Sequence, residues 1–277
     1  MHLICKDGEK MTDEQILQWY ILSGVDEICG DVPFNAFPPK NASEAVPSNS
    51  AVRGSAETAV ISAEIRPATT LLAQNNSGAC NNARKACAEA GTLAELREIA
   101  EHFEGCSLKF SANSTVFGYG CPTAKIMFIG EAPGADEDMQ GKPFVGRSGQ
   151  LLTKMLAAIG LNRDECYITN VLPWRPPGNR TPTDGEVAVC LPFLQRQIEL
   201  IKPKCIFLLG GSAANALLNN AESISHLRGH FIDYVTSDGV AIPTLSSFHP
   251  AYLLRSPQQK NKAWSDLLRL QRKLQEV

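Results

Sequence analysis

Residues 126–149, IMFIGEAPGADEDMQGKPFVGRSG, decide how this chain folds. Ile126, Met127, Phe128 and Ile129 read as a buried strand. The run stops at Gly130 and enters a turn holding Glu131, Pro133 and Gly134. An acidic patch follows (Asp136, Glu137, Asp138), then a second turn around Gly141, Pro143, Phe144 and Gly146. Residues 150–159 carry the apolar spacing of an amphipathic helix. An apolar strand that empties into a glycine-rich loop ahead of a helix is where an open α/β sheet places its ligand.

Outward from this stretch the same alternation repeats. Residues 92–103 read as a helix with Leu93, Leu96, Ile99 and Ala100 on one face. Residues 166–172 (CYITNVL) read as a strand leading into a loop, 173–182, with four prolines and two arginines. Residues 184–201 form a helix with Val187, Leu191, Leu194 and Ile198 in register. Residues 205–209 (CIFLL) are a wholly apolar strand closed by Gly210 and Gly211, with a helix at 212–218. Shorter strands are expected at 226–234 and 241–246, and a loop at 249–256. A last helix, 257–274, should bury Trp264, Leu267, Leu268 and Leu274. Short apolar strands between helices predict a mainly parallel sheet covered on both faces.

The first third is different. Residues 11–29 have helical spacing (Ile16, Leu17, Tyr20, Ile21) behind a Thr12 or Asp13 cap, and read as a small helix for docking a protein partner. Residues 31–90 are rich in Pro, Asn, Ser and Ala with scattered apolar positions, and read as a disordered linker with transient helix at 59–65 and 82–90. The domain proper is then 91–277.

At 277 residues, 44% hydrophobic and 20% charged, the chain has ample length for a packed core. The net charge of −3 gives no global attraction to nucleic acid. Of 29 acidic and 26 basic residues, 11 and 7 lie in residues 1–90, leaving 18 and 19 in the domain. The acidic excess therefore sits in the tail, and a local basic patch on the domain stays open. No apolar run reaches membrane-spanning length, and residues 1–14 lack the apolar core of a secretory signal. A cytoplasmic location is expected. The nine cysteines are unpaired in pattern, which in a reducing compartment makes them thiols or metal ligands.

Four strand ends carry chemistry: Gly130–Glu131, Asn170, Gly210–Ser212 and Ser247–His249. In a parallel sheet they converge on one rim. A carboxylate, an amide, a histidine and a nearby aromatic can bind and act on a small planar polar group. Taken singly, Glu131 reads equally as a capping carboxylate, Asn170 as a turn former and His249 as a core histidine. The glycines lack dinucleotide-fingerprint spacing, and there is no Walker A, GxSxG or HExxH motif.

In order, GEAPGADED (130–138), GKPFVGRSGQLL (141–152), YITNVLPWRPPGNRTP (167–182) and HPAYLLR (249–255) resemble the uracil-DNA glycosylase superfamily, and within it family 4. The likeness runs over residues 93–274. It implies a three-layer α/β/α fold around a central, mainly parallel four-stranded sheet. It also implies hydrolysis of the bond between deoxyribose and uracil in single- or double-stranded DNA, to start base-excision repair. The catalytic pair is then Glu131, for water and the sugar cation, and His249, donating to uracil O2. Asn170 would read the base, Phe144 stack on it, and Glu137 exclude the thymine methyl. The backbone at Gly130 and Ala132 would line the pocket. Leu253 or Leu254 would fill the gap left by the flipped base, while Arg255 and Ser247 contact phosphate. A catalytically weak DNA-binding relative, or a glycosylase for other deaminated bases, is the alternative.

The resemblance also implies a 4Fe–4S cluster held by four cysteines, and here the chain departs. Cys106 and Cys190 stand at two ligand positions; Phe103 and Trp174 occupy the other two. The expected reading is a monomer with no cofactor, the two aromatic rings filling the vacated volume; the alternative is the cluster typical of the family.

Overall fold

The computed structural model describes residues 68–276. The helix expected at 11–29 and the linker up to residue 67 lie outside the described residues.

Four parallel strands form the middle of the sheet: β2 (Ile126–Gly130), β3 (Tyr167–Asn170), β4 (Cys205–Leu209) and β6 (Ala241–Ser247). Two antiparallel edge strands, β1 (Tyr119–Gly120) and β5 (Phe231–Val235), extend it to six in the order β1-β3-β2-β4-β6-β5. The sheet is therefore wider than the expected four strands. The two residues of β1 are too few to carry a period, and β5 alternates exposed and buried residues as an edge strand does.

The apolar runs behave as a sheet buried on both faces requires. Ile126, Phe128, Ile168, Cys205, Phe207, Leu209 and Leu245 point into one layer. There they meet α5 (Arg147–Ala158) and α10 (Lys260–Gln275). Met127, Ile129, Ile206 and Leu208 point into the other layer, with Val189, Leu194 and Ile198 of α6 (Asp184–Ile201). α6 starts on a full capping box, Thr183 with Glu186. α7 (Gly211–Leu218) follows β4 and covers the same side. Trp264, expected in the core, is 42% exposed; Leu267 is buried as expected, with Ala263 and Leu270 beside it on α10.

The linker reading fails in its last third. α1 (Ala68–Glu89) is a 22-residue helix, and α2 (Leu93–His102) follows it behind a Thr92–Glu95 capping box. Ala83 and Cys87 pack with Leu96, Ala100, Phe117 and Phe193. The Arg196 guanidinium donates twice to the Ala90 carbonyl, at 2.7 and 3.1 Å. Composition concealed this helix, because the residues that it is seen to bury, Ala83 and Cys87, are small. Among the described residues no helix is long and apolar enough to cross a membrane.

Candidate functional site

The parallel register brings the chemistry-bearing residues to one rim. Gly130 at the end of β2 pairs with Asn170 at the end of β3, and Leu209 of β4 pairs with Ser247 of β6. Beyond these ends lies a cleft of about 370 Å³ lined by Glu131, Ala132, Glu137, Phe144, Asn170 and His249, among others. The Asn170 side chain is only 5% exposed. Neither its amide nor the Glu131 carboxylate is hydrogen-bonded to another described residue, so both are left for a ligand.

Gly130 shapes the floor without lining it. A Cβ there would fall 2.5 Å from Asn170 Oδ1 and 2.6 Å from the Phe144 ring. The missing side chain lets the amide and the aromatic approach each other. Phe144 has φ +55°, a left-handed conformation that a bulky residue adopts at a cost of about 1–3 kcal/mol. Gly149 makes room for it, since a Cβ at Gly149 would meet the Phe144 carbonyl at 1.8 Å. The Phe144 ring lies 5.6 Å from the His249 ring, tilted by 32°. Glu137 opens the short helix α4 (Ala135–Gln140) and is buried. Its oxygens accept from the backbone N–H of Gly134, Val145 and Gly146 at 3.1, 2.9 and 3.0 Å. It stands in the cleft wall and also holds the two turns together.

His249 caps α9 (Pro250–Arg255): its Nδ1 accepts from the Ala251 N–H at 3.1 Å. That bond requires a bare Nδ1, so the neutral ring carries its proton on Nε2. Burial, reinforced by the Arg255 charge, pushes the pKa down to about 4. The histidine is thus a neutral donor at physiological pH, a point that sequence leaves open. α9 was expected as loop; His249 at the cap with Pro250 in the first turn was the readable signal.

Two of the expected DNA contacts are corrected. Ser247 is fully buried, and its hydroxyl donates to Asp266 Oδ2 at 2.6 Å. Arg228 forks onto the same carboxylate at 2.6 and 3.0 Å. Ser247 therefore anchors the end of β6 to α10 and cannot reach phosphate. Leu253 is 1% exposed and packs in the core layer, whereas Leu254 is 38% exposed. Of the two leucines, only Leu254 can act as a wedge. Arg255 lines the cleft. Sequence reasoning missed Tyr252, one turn into α9, which also lines it.

Cys190 Sγ donates to Cys106 Sγ at 3.8 Å, and both thiols are buried. This bond lowers the Cys106 pKa and, with burial, raises that of Cys190. The Phe103 and Trp174 rings stack, 6.4 Å apart and 14° from parallel, and Phe193 meets both edge-on at 5.2 and 6.3 Å. Trp174 Nε1 donates to Thr115 Oγ1 at 3.1 Å. Cys166 and Cys205 belong to the layer on the opposite face of the sheet. Among the described residues no three His, Cys, Asp or Glu side chains gather as a metal site. The residues present do not fit a four-thiolate cluster.

The profile described as the Uracil DNA glycosylase superfamily matches residues 117–268. The chain belongs to this superfamily. It is 43% identical over 169 residues to the Type-4 uracil-DNA glycosylase of Archaeoglobus fulgidus, covering 60% of this chain and 84% of that protein. It is 44% identical over 170 residues to the Type-4 uracil-DNA glycosylase of Thermotoga maritima, covering 60% of this chain and 86% of that protein. A Type-5 uracil-DNA glycosylase of Pyrobaculum aerophilum is 31% identical over 150 residues, covering 49% and 65%. These superfamily features fall on the domain built around the cleft, and α1 lies outside the matched profile.

Proposed function

We propose that this superfamily member is a monofunctional uracil-DNA glycosylase. It hydrolyses the N-glycosidic bond of a flipped-out deoxyuridine, releases uracil and leaves an abasic site for base-excision repair. The observation that carries this reading is the set of three groups gathered in one cleft: the Asn170 amide and the Glu131 carboxylate, neither hydrogen-bonded among the described residues, and the neutral His249. An amide offers one acceptor and two donors, which in one orientation match uracil N3–H and O4 and mismatch cytosine. Phe144 stacks on the base. As the bond breaks, negative charge moves onto the base and positive charge onto the sugar. The Nε2–H of His249 is then a placed donor for O2, and Glu131 orients the water and stabilises the sugar cation. Glu137 stands where a thymine methyl would intrude. Leu254 fills the gap in the duplex, and Arg255 meets phosphate.

The enzyme works without a metal cluster. The stacked Phe103 and Trp174 support this, since they occupy two of the four positions that thiolates would need. It acts as a cytoplasmic monomer; all seven cysteines among the described residues are free, in keeping with a reducing compartment.

A uracil-containing single-stranded oligonucleotide, incubated with the protein and then with alkali, should break at the uracil. Glu131→Gln, which keeps the shape and removes the charge, should lower kcat by about 10²–10³-fold, the scale of one lost transition-state contact. No cleavage by the unmutated protein overturns the proposal. Purified protein should be colourless and free of iron, and visible absorbance from iron would overturn the cluster-free part alone.

A further inference from the structure

Phe144 is held in its left-handed conformation from both sides. On the far side, the N–H groups of Val145 and Gly146 are both bonded to Glu137 Oε1, at 2.9 and 3.0 Å. On the near side, the carbonyl of Pro143 accepts from Arg163 Nη2 at 2.8 Å. The other arm of the same guanidinium, Nη1, donates to Thr153 Oγ1 at 3.1 Å. Thr153 in turn donates to the Gly149 carbonyl at 3.1 Å. Gly149 is the residue at which a Cβ would meet the Phe144 carbonyl at 1.8 Å.

Arg163 stands in a one-turn 3-10 segment just before β3 and is not among the residues lining the cleft. Its guanidinium lies 5.9 Å over the ring of Tyr119, whose hydroxyl donates to Asp164 at 2.8 Å. The ring backs the fork from outside. A planar fork with two arms at a fixed angle can tie a turn carbonyl to a helix side chain at once, whereas an ammonium is a single point charge.

We infer that Arg163 is a positioning residue of this glycosylase. By bracing the Pro143 carbonyl against α5, it keeps Phe144 in the strained backbone state that presents its ring to the base. Arg163 touches neither base nor sugar and acts through Phe144 alone. Without it, the turn relaxes toward an ordinary backbone conformation and the ring leaves the stack. This inference rests on the proposed stacking role of Phe144.

A double-mutant cycle tests it. Arg163→Met, Phe144→Ala and the double variant are compared by kcat/KM on a uracil-containing single-stranded oligonucleotide. Inhibition by free uracil, affinity for a uracil-free strand and thermal unfolding are read on the same samples. Arg163→Met should lose about tenfold in kcat/KM, within the range of a lost base–aromatic stack. Free uracil should inhibit it less, while the uracil-free strand binds as before. In the Phe144→Ala background the Arg163 substitution should cost nothing further. Arg163→Lys, which keeps one arm, should recover part of the loss. Thr153→Val cuts the other arm and should show a smaller loss that also vanishes without Phe144. If Arg163→Met does not fold, Arg163→Lys and Thr153→Val carry the same cycle. Losses that add in full to that of Phe144→Ala overturn the clamp. Phe144→Ala with undiminished activity and unchanged uracil inhibition overturns the stacking role itself, a separate result.

Discussion

His249 shows how one backbone hydrogen bond sets the chemistry of a side chain. Its Nδ1 is committed to the Ala251 N–H, so the proton sits on Nε2 and the ring is a neutral donor. With the pKa pushed down to about 4 by burial and by Arg255, neutrality persists through the physiological range. The linkage follows from the two protonation states. The unfolded chain takes up the imidazole proton near its ordinary value of 6.5, the folded chain only near 4. Stability therefore falls by about 2–3 kcal/mol as pH drops from above 6.5 to 4, and this contribution is constant below that. Urea titrations of the unmutated protein and of His249→Gln across pH 4–8 should show the difference in slope. The imidazole resonances should titrate near pH 4, and a midpoint at 6–7 would remove the neutral-donor argument.

Among the elements, the layer between α2 and α6 holds Phe103 and Trp174 at the two positions where the resemblance implies cluster cysteines. A metal cluster holds its surroundings through bonds, so removing one ligand releases the metal and much of the local fold. Here the same place is held by packing, with Trp174 1% exposed and in contact with both Phe103 and Phe193. Trp174→Ala should cost about 3–5 kcal/mol by urea unfolding. Cys190→Ala, which removes little more than a methylene-sized group, should cost about 1 kcal/mol. The reverse order, with the cysteine dominant and sensitive to chelator, is what a metal-held fold would give. The superfamily was legible in the sequence because four ordered motifs fixed the frame. The rim residues Glu131, Asn170 and His249 were legible for the same reason, each sitting at the end of a short apolar run. Ser247 and Leu253 were not. A hydroxyl and a leucine look the same in sequence whether they face solvent or core, and only the Asp266–Arg228 pair and the α5–α10 layer decide it.

At the scale of the whole molecule, the boundary of the domain moves. Composition places it near residue 91, because low hydrophobicity over residues 31–90 reads as chain that cannot bury enough apolar surface. The structure extends it back through α1, where Ala83 and Cys87 are buried. Such residues contribute little transfer energy of their own. Their small size lets the helix lie close over Leu96, Ala100 and Phe193, which are 0–1% exposed beneath it. Cys80 Sγ also donates to the Ala188 carbonyl at 3.3 Å, a second tie from α1 to α6. The value of α1 lies in what it covers. A chain starting at residue 68 should therefore keep the glycosylase activity and the melting behaviour of the domain, since among the described residues the cleft is lined from Glu131 onward. A chain starting at residue 91 should lose about 3 kcal/mol, the order expected when a large apolar side chain such as Phe193 returns to water. Its kcat at low temperature should hold, because α1 contributes no residue to the cleft. Paired urea unfolding and initial-rate measurements on the two truncated chains check this. Equal stability of the two chains would return residues 68–90 to the linker.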